Sequence, residues 1–419
     1  MVPAKSGLVG SSFIGIDQRT MLTVFTGHRH QAHFEFNIDR FLRSLSLPRG
    51  SPDRPHPCLM NAIYLFASHF SRSSHLSVHD GIFLARSRAG ITAALQTKDR
   101  ILHAIQAACI VSFYLFFKGK VLEGYWMSGA TCRMAIACGL HQIKAAVSSD
   151  LAAPSTGASP IVNTGTKMIV LPEPKNNIEL GERIHTFWQV WCVDKYGVLS
   201  TGFAPSLVDT PDIPLLKIKT CWPPAMRAFI NESISSIQYK VMELWVRAAN
   251  LRRQGPSRSD FPKHFREIEA ALTRVERMIP PLSYYEDGDT PPTESMPIHT
   301  RMILPHAMIH ATKINLHTTL SNHDSRSYDK ALAAANEIMN ILEGITHYDF
   351  NYLEVVLAVC FKHASETFMS HIERLQRRND PDHIQAIQTY QNQADATTMA
   401  MKRICHLYAA TGEPHIAGH

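Results

Sequence analysis

The chain has 419 residues, of which 45% are hydrophobic and 19% are charged, with 24 prolines, 21 glycines and eight cysteines. This composition excludes a collagen-like chain, a wholly disordered chain and a small disulfide scaffold, and such sparse cysteines are predicted to be reduced thiols. The net charge of +6 arises in residues 1–150, where 16 Lys and Arg outnumber 8 Asp and Glu. Because these basic residues are scattered, they indicate a solvated helix surface rather than a nucleic-acid interface.

Taken in chain order, segment after segment carries apolar residues at i, i+3, i+4 and i+7, whereas strict alternation is rare. This pattern predicts an all-α protein with about eleven helices and no sheet. The predicted helices span residues 58–70, 78–95, 99–117, 122–140, 180–199, 225–251, 261–278, 299–320, 328–345, 352–377 and 383–407.

Two segments interrupt the helical pattern. Residues 145–175 are rich in Ser, Thr, Gly, Ala and Pro, and we predict a disordered insertion because they cannot bury enough apolar surface to become ordered. Residues 283–297 form an acidic, proline-bearing loop. The predicted organisation is a flexible N-terminus at 1–20, a domain at 21–282 that contains the insertion, the acidic loop, and a C-terminal helical lobe at 298–419.

The most apolar stretch, residues 101–117, lies at the lower length limit of a membrane span. His103 and Gln106 interrupt it, and lysines follow its end. We therefore predict a buried helix and no membrane association. The first 20 residues lack the continuous apolar region of a signal peptide.

Motifs for catalysis are missing from the sequence. It contains no phosphate-binding glycine loop, no dinucleotide fingerprint and no nucleophile elbow, so the chain is predicted not to be an enzyme. His306 and His310 have the i, i+4 spacing of a zinc-binding pair, but the Glu that acts as general base in H-E-x-x-H is absent. A metal-dependent helical enzyme that uses these two histidines is the alternative interpretation, and a ligand-free helical interaction scaffold is a third.

Three short motifs follow one another along the helical part of the chain. The first lies on one predicted helix and its end and consists of Trp126, Gly129, Ala130, Arg133, Gly139, Leu140 and His141. The second lies on the next predicted helix and consists of Arg183, Phe187, Trp188 and Asp194. The third is a turn and an acidic stretch that contribute Pro205, Asp212 and Pro214.

In order and spacing these motifs resemble the middle homology region of fungal zinc-cluster transcription factors, over roughly residues 20–260. The resemblance implies a non-catalytic domain in the nucleus that regulates DNA-templated transcription. It implies transcriptional coregulators or a small-molecule effector as partners, and homodimers as an assembly open to the chain. The effector, the target genes and the sign of regulation are left open.

Members of this family bind DNA through an N-terminal cluster of six zinc-binding cysteines. Here the first cysteine is Cys58, and no C-x₂-C occurs anywhere. We therefore predict that this chain holds no zinc cluster and no other cofactor, and that DNA is reached only through a zinc-cluster module that it lacks. A truncated gene product and a variant that lost the cluster both explain this absence.

The residues themselves are predicted to have structural roles first. Trp126, Phe187, Trp188 and Trp191 should build the core between two helix pairs. Trp126 would share one apolar helix face with Ala130, Met134 and Ala137. An internal ion-pair network is expected from Arg133, Arg183, Asp194 and Asp212. Gly139 should end its helix in the left-handed conformation.

Overall fold

A computed structural model describes residues 18–71, 73–143, 171–208, 231–282, 298–322, 324–347, 349–378 and 383–409. These ranges contain fourteen α-helices and no strand, which confirms the all-α class. The helices are α1 (Gln18–His28), α2 (Ile38–Leu45), α3 (Pro57–Ser71), α4 (Ser74–Ser77), α5 (Asp80–Thr97), α6 (Ile101–Phe117), α7 (Val121–Ala137), α8 (Asn177–Thr201), α9 (Asn231–Gln254), α10 (Phe261–Met278), α11 (Ile298–Thr318), α12 (Ser325–Glu343), α13 (Leu357–Arg378) and α14 (Ile384–Ala409).

Three of the fourteen helices, α1, α2 and α4, were not among the eleven predicted from the sequence. Helix α4 is a single turn of four residues, and α2 buries none of its eight residues, so neither has a long apolar pattern to reveal it. Helix α1 begins at Gln18, inside the stretch 1–20 that was predicted to be flexible. The remaining 17 residues of that stretch, the segment 144–170 and the acidic loop 283–297 lie outside the described residues.

Helix α6 lies at the centre of the fold. Fourteen of its 17 residues are buried, and it packs against α3, α5, α7 and α8. This burial confirms the interpretation of residues 101–117 as a core helix, since a helix that is apolar on all sides must be covered on all sides. In the part of the chain that the structure describes, no helix is long and apolar enough to cross a membrane.

One continuous hydrophobic core joins the N-terminal and C-terminal helices, from Met21 on α1 to Tyr408 on α14. Helix α11 packs on α9 and α13, which connects the residues on either side of the 283–297 loop. The described cysteines are free thiols, and burial raises the pKa of Cys58 to about 12, consistent with unreactive core positions.

Helices α3 and α5 approach each other so closely that only glycine fits at the crossing. A Cβ on Gly90 would lie 2.9 Å from Cys58 Cβ and 3.2 Å from Cys58 Cα. We expect Gly90→Ala to lower the free energy of unfolding by about 1–3 kcal/mol, because one backbone must move. Gly81→Ala on the same helix is the control: nothing lies within 4 Å of that Cβ, so we expect no loss of stability. Urea denaturation of both variants measures the difference, and equal stabilities would contradict the close approach.

Candidate functional site

The first motif runs along α7 and its C-terminal end. Gly139 has a φ of +70°, which confirms the predicted left-handed residue after the helix. Leu140 and His141 follow in a short 3₁₀ helix, and both are buried. Burial lowers the pKa of the His141 imidazole, so this ring is neutral at pH 7. The end of the motif therefore anchors the chain where it leaves α7.

The prediction that Trp126 builds the core is wrong. Its side chain is 69% exposed, next to Leu122, which is 73% exposed on the preceding turn. The buried face of α7 consists instead of small or polar residues together with Met127, namely Gly124, Met127, Ser128, Thr131, Cys132 and Ala135. These residues allow α7 to approach α6 and α8 closely: a Cβ on Gly124 would lie only 3.0 Å from the ring of Phe116 on α6. Close backbone packing, rather than apolar character, decided which face is buried.

The aromatic residues of the second motif do lie in the core. Phe187, Trp188 and Trp191 on α8 are buried, as predicted. The Trp188 ring stacks on Tyr239 of α9 with 5.1 Å between ring centroids and an angle of 11° between the planes. Helices α8 and α9 are therefore held together by aromatic side chains.

The predicted ion-pair network is also corrected by the structure. Arg133 is exposed, and in the described ranges it pairs with no carboxylate. Arg183 pairs with Glu179, one turn earlier on α8, at 3.2 Å. Asp194 pairs with Lys195 at 3.2 Å, and Asp212 lies outside the described residues, as does Pro214. These charges belong to separate local contacts because Arg133 lies on the opposite, solvent face of α7.

Asp194 holds the turn that follows α8. Its Oδ1 accepts the N–H of Ser206 at 2.7 Å, and its Oδ2 accepts the N–H of Leu207 at 3.1 Å. Lys195 donates to the Leu207 carbonyl at 2.7 Å. The half-buried Pro205 lies inside this turn. The second and third motifs thus form one unit. The buried Asp194 carboxylate accepts the hydrogen bonds of two N–H groups in the turn that have no backbone acceptor in a helix or strand.

A buried polar cluster around Glu354 was not predicted. His33 Nε2 lies 3.1 Å from the Glu354 carboxylate, Gln238 Nε2 donates to it at 2.9 Å, and the Tyr196 hydroxyl donates to it as well. Burial alone would raise the pKa of Glu354, but His33 and these hydrogen bonds hold it below its ordinary value. The sequence contained one indication of this cluster, which is the single Glu in the apolar run from Leu353 to Leu357. Its partners could not be predicted, because they lie 116 to 321 positions away along the chain.

This cluster joins four parts of the chain, and neighbouring hydrogen bonds extend it. Gln31 donates to the Leu353 carbonyl at 3.0 Å, and His30 Nε2 lies 3.0 Å from the Tyr352 carbonyl oxygen. Burial lowers the pKa of His30 to about 3. Because these polar groups have partners within the chain, the cluster serves to fix the N-terminal segment against the C-terminal helices.

His306 and His310 line a cavity of about 660 Å³ between α10, α11 and α12. The i, i+4 spacing therefore does bring them together. His306 Nε2 is 2.9 Å from the Pro280 carbonyl oxygen, and burial lowers the pKa of His310 to about 4. Within the ranges that the structure describes, no three His, Cys, Asp or Glu residues are arranged to hold a metal ion. The pair thus lacks a described third ligand.

A second cavity, of about 980 Å³, opens between α1, α2, α3 and α5. Its lining includes four arginines and several apolar side chains; we call it the arginine groove. The four are Arg19, Arg49, Arg54 and Arg86.

Comparison with known families explains the motifs on α7 and α8. Residues 26–225 match the model of the fungal specific transcription factor domain. The matched residues make up just under half of the chain. This match confirms the resemblance predicted from the three motifs. Neither a curated protein nor a solved structure matches the chain.

The matched region begins on α1 and includes α2 to α8, with the α7 and α8 motifs near its end. Transcription factor domains of this family are non-catalytic in general, have regulatory partners and imply a nuclear role. The lining residues of the arginine groove from Thr26 to Arg86 and the Asp194 turn lie in the matched region. The α1 residues Gln18, Arg19, Leu22 and Thr23, which also line the groove, precede it. The histidine cavity lies beyond the match, on α10 to α12.

Proposed function

We propose that this chain is a non-catalytic regulatory unit of a fungal transcription factor, which restrains or transmits activation through a coregulator or a small-molecule effector. The observation that carries the proposal is the match of residues 26–225 to the fungal specific transcription factor domain. The unit acts in the nucleus, and it reaches DNA through a separate zinc-cluster module. It uses no cofactor of its own, and a homodimer is the assembly that we propose.

The partners of two buried carboxylates support a structural rather than a catalytic role for both groups. The buried Glu354 carboxylate is engaged by His33, Tyr196 and Gln238, and the buried Asp194 carboxylate is engaged by a backbone turn. A general acid or base must face a space that admits substrate. Neither carboxylate lines either cavity, whereas the arginine groove is open to a partner.

The proposal is tested by fusing the complete chain to a heterologous zinc-cluster DNA-binding module with an activation segment, and measuring a reporter gene. We expect a severalfold change in transcription relative to the module and activation segment alone. The matched variant carries Trp188→Ala, which should weaken the fold and remove the effect. If the intact chain is expressed in the nucleus and transcription does not change in either direction, the regulatory role is wrong and an inert scaffold is the better interpretation.

A further inference from the structure

We propose that the arginine groove binds an acidic peptide segment with apolar side chains, supplied by a partner protein. This inference deepens the proposed function and rests on it, because it names the chemistry of the coregulator. It starts from three features of the groove, which are its charge, its apolar lining residues and the incomplete burial of α2.

The charge of the groove has one sign. Its walls contain four arginines, and no Asp or Glu belongs to the described lining residues. Arg49 and Arg86 are exposed at the rim, while Arg54 donates to the Leu47 carbonyl and lies near the Tyr64 hydroxyl. A guanidinium group pairs with a carboxylate through two parallel hydrogen bonds, so the exposed Arg49 at the rim favours an acidic ligand.

The apolar lining residues of the groove belong to three helices. Leu22 of α1 and Met60 of α3 line the groove together with the α2 side chains Ile38, Leu42 and Leu45. The spacing of four and then three residues places the α2 side chains on one helix face. A ligand that carried only charge would leave this face uncovered, so the occupant must bring apolar side chains as well.

Helix α2 is amphipathic, yet none of its eight residues is buried. Leu42, in the middle of its apolar face, is 46% exposed. An amphipathic helix ordinarily buries its apolar face against a neighbour, and here that neighbour is incomplete. A docked segment would supply the missing half of the contact.

The dimensions of the groove favour a peptide. At about 980 Å³ it lies at the upper end of the range for small-molecule pockets. A groove between helices that presents apolar side chains is a common receptor for an amphipathic helix. Segments that mix acidic and apolar residues are typical of activation domains. A nucleic acid, by contrast, would pair its phosphates with the arginines and leave the apolar face of α2 exposed to water.

The experiment measures fluorescence anisotropy of a labelled peptide in which Asp and Glu alternate with Leu and Phe, titrated with the complete chain. We expect saturable binding that weakens with added salt, and a loss of affinity of about tenfold or more in Arg49→Glu. Arg43→Glu is the matched control, because Arg43 is an exposed arginine close by on α2 that does not line the groove. Leu42→Ser, at an exposed position, should weaken binding without unfolding the chain.

Several outcomes would overturn the proposal. One is equal affinity in Arg49→Glu and Arg43→Glu. Another is equal binding of a peptide with lysines in place of the acids, or of an acidic peptide with serines in place of Leu and Phe. If duplex DNA displaces the peptide and depends on Arg49 in the same way, the groove is a phosphate-binding surface instead.

The chain's own acidic segment, residues 283–297, is the remaining competitor. If changing its four acidic residues to amides tightens peptide binding, the groove is occupied from within, and a partner protein is the wrong occupant. Reporter measurements on the same variants separate the two proposals. A reporter effect that persists in Arg49→Glu, with no peptide binding, removes only the groove proposal. Peptide binding with no reporter effect of the intact chain removes the regulatory role.

Discussion

Replacing Trp188 with alanine is expected to lower the free energy of unfolding by about 3–5 kcal/mol. The side chain is 2% exposed, stacks on Tyr239 and contacts Phe187 and Trp191 edge-on, so its removal leaves a cavity between α8 and α9. Closing that cavity would require two long helices to move together. The measurement is chemical denaturation followed by far-ultraviolet circular dichroism, which records the loss of helix.

Trp126→Ala provides a matched control with the same chemical change. Because Trp126 is 69% exposed, its truncation should change the free energy of unfolding by no more than about 0.5 kcal/mol. Both tryptophans belong to the family motifs, so the pair of variants separates a fold-holding role from a surface role. Similar losses in the two variants would contradict the burial that the structure assigns to them.

Acid is expected to begin to destabilise the protein at a pH above the range in which carboxylates titrate. Burial lowers the pKa of five histidines to about 3 or 4 in the folded state, because the charged imidazole loses hydration. The five are His30, His103, His185, His310 and His317. In the unfolded chain a histidine titrates near pH 6.5. Between about pH 6.5 and pH 4 the unfolded chain therefore binds more protons than the folded protein, and the free energy of unfolding falls as the pH falls.

Where such a histidine is fully protonated in the unfolded chain and neutral in the folded protein, it lowers the free energy of unfolding by about 1.4 kcal/mol for each pH unit of acidification. Urea denaturation at a series of pH values from 7 to 4.5 measures the total. His185→Gln should reduce the slope by about one proton, because it removes one group that the unfolded chain protonates. The control is His75→Gln at an exposed position, for which we expect an unchanged slope. A free energy of unfolding that does not vary between pH 6.5 and pH 5 would show that these imidazoles are not buried in neutral form.

Glu354 adds to this acid sensitivity at lower pH. Its pKa is held below the ordinary value in the folded protein, so its contribution to stability is present above the unfolded pKa, near 4.3. That contribution is lost as the pH falls through the folded pKa. The histidines therefore govern the first part of the acid transition, and the carboxylate governs the last.

The helical periodicity of the sequence was sufficient to predict the all-α class and eleven of the helices, because a pattern of period 3.6 needs only local information. The motif residues from Trp126 to Pro205 identified the domain for a related reason: their spacing is local. Arg133 and Trp126 show the limit of such local reading. Which face of α7 is buried depends on how closely α6 and α8 approach, and small residues at Gly124 and Ser128 made that face the buried one.

The sequence by itself thus predicted the fold class, the resemblance that the match of residues 26–225 confirms, and the burial of Phe187 and Trp188. Only the tertiary structure decided the sites. The Glu354 cluster joins residues from positions 33 to 354, and the arginine groove joins α1, α2, α3 and α5. Periodicity reports which residues share one helix face, whereas a cluster or groove depends on how separate helices are placed against each other. That placement is set by close packing across the whole core, and it leaves no regular spacing along the chain.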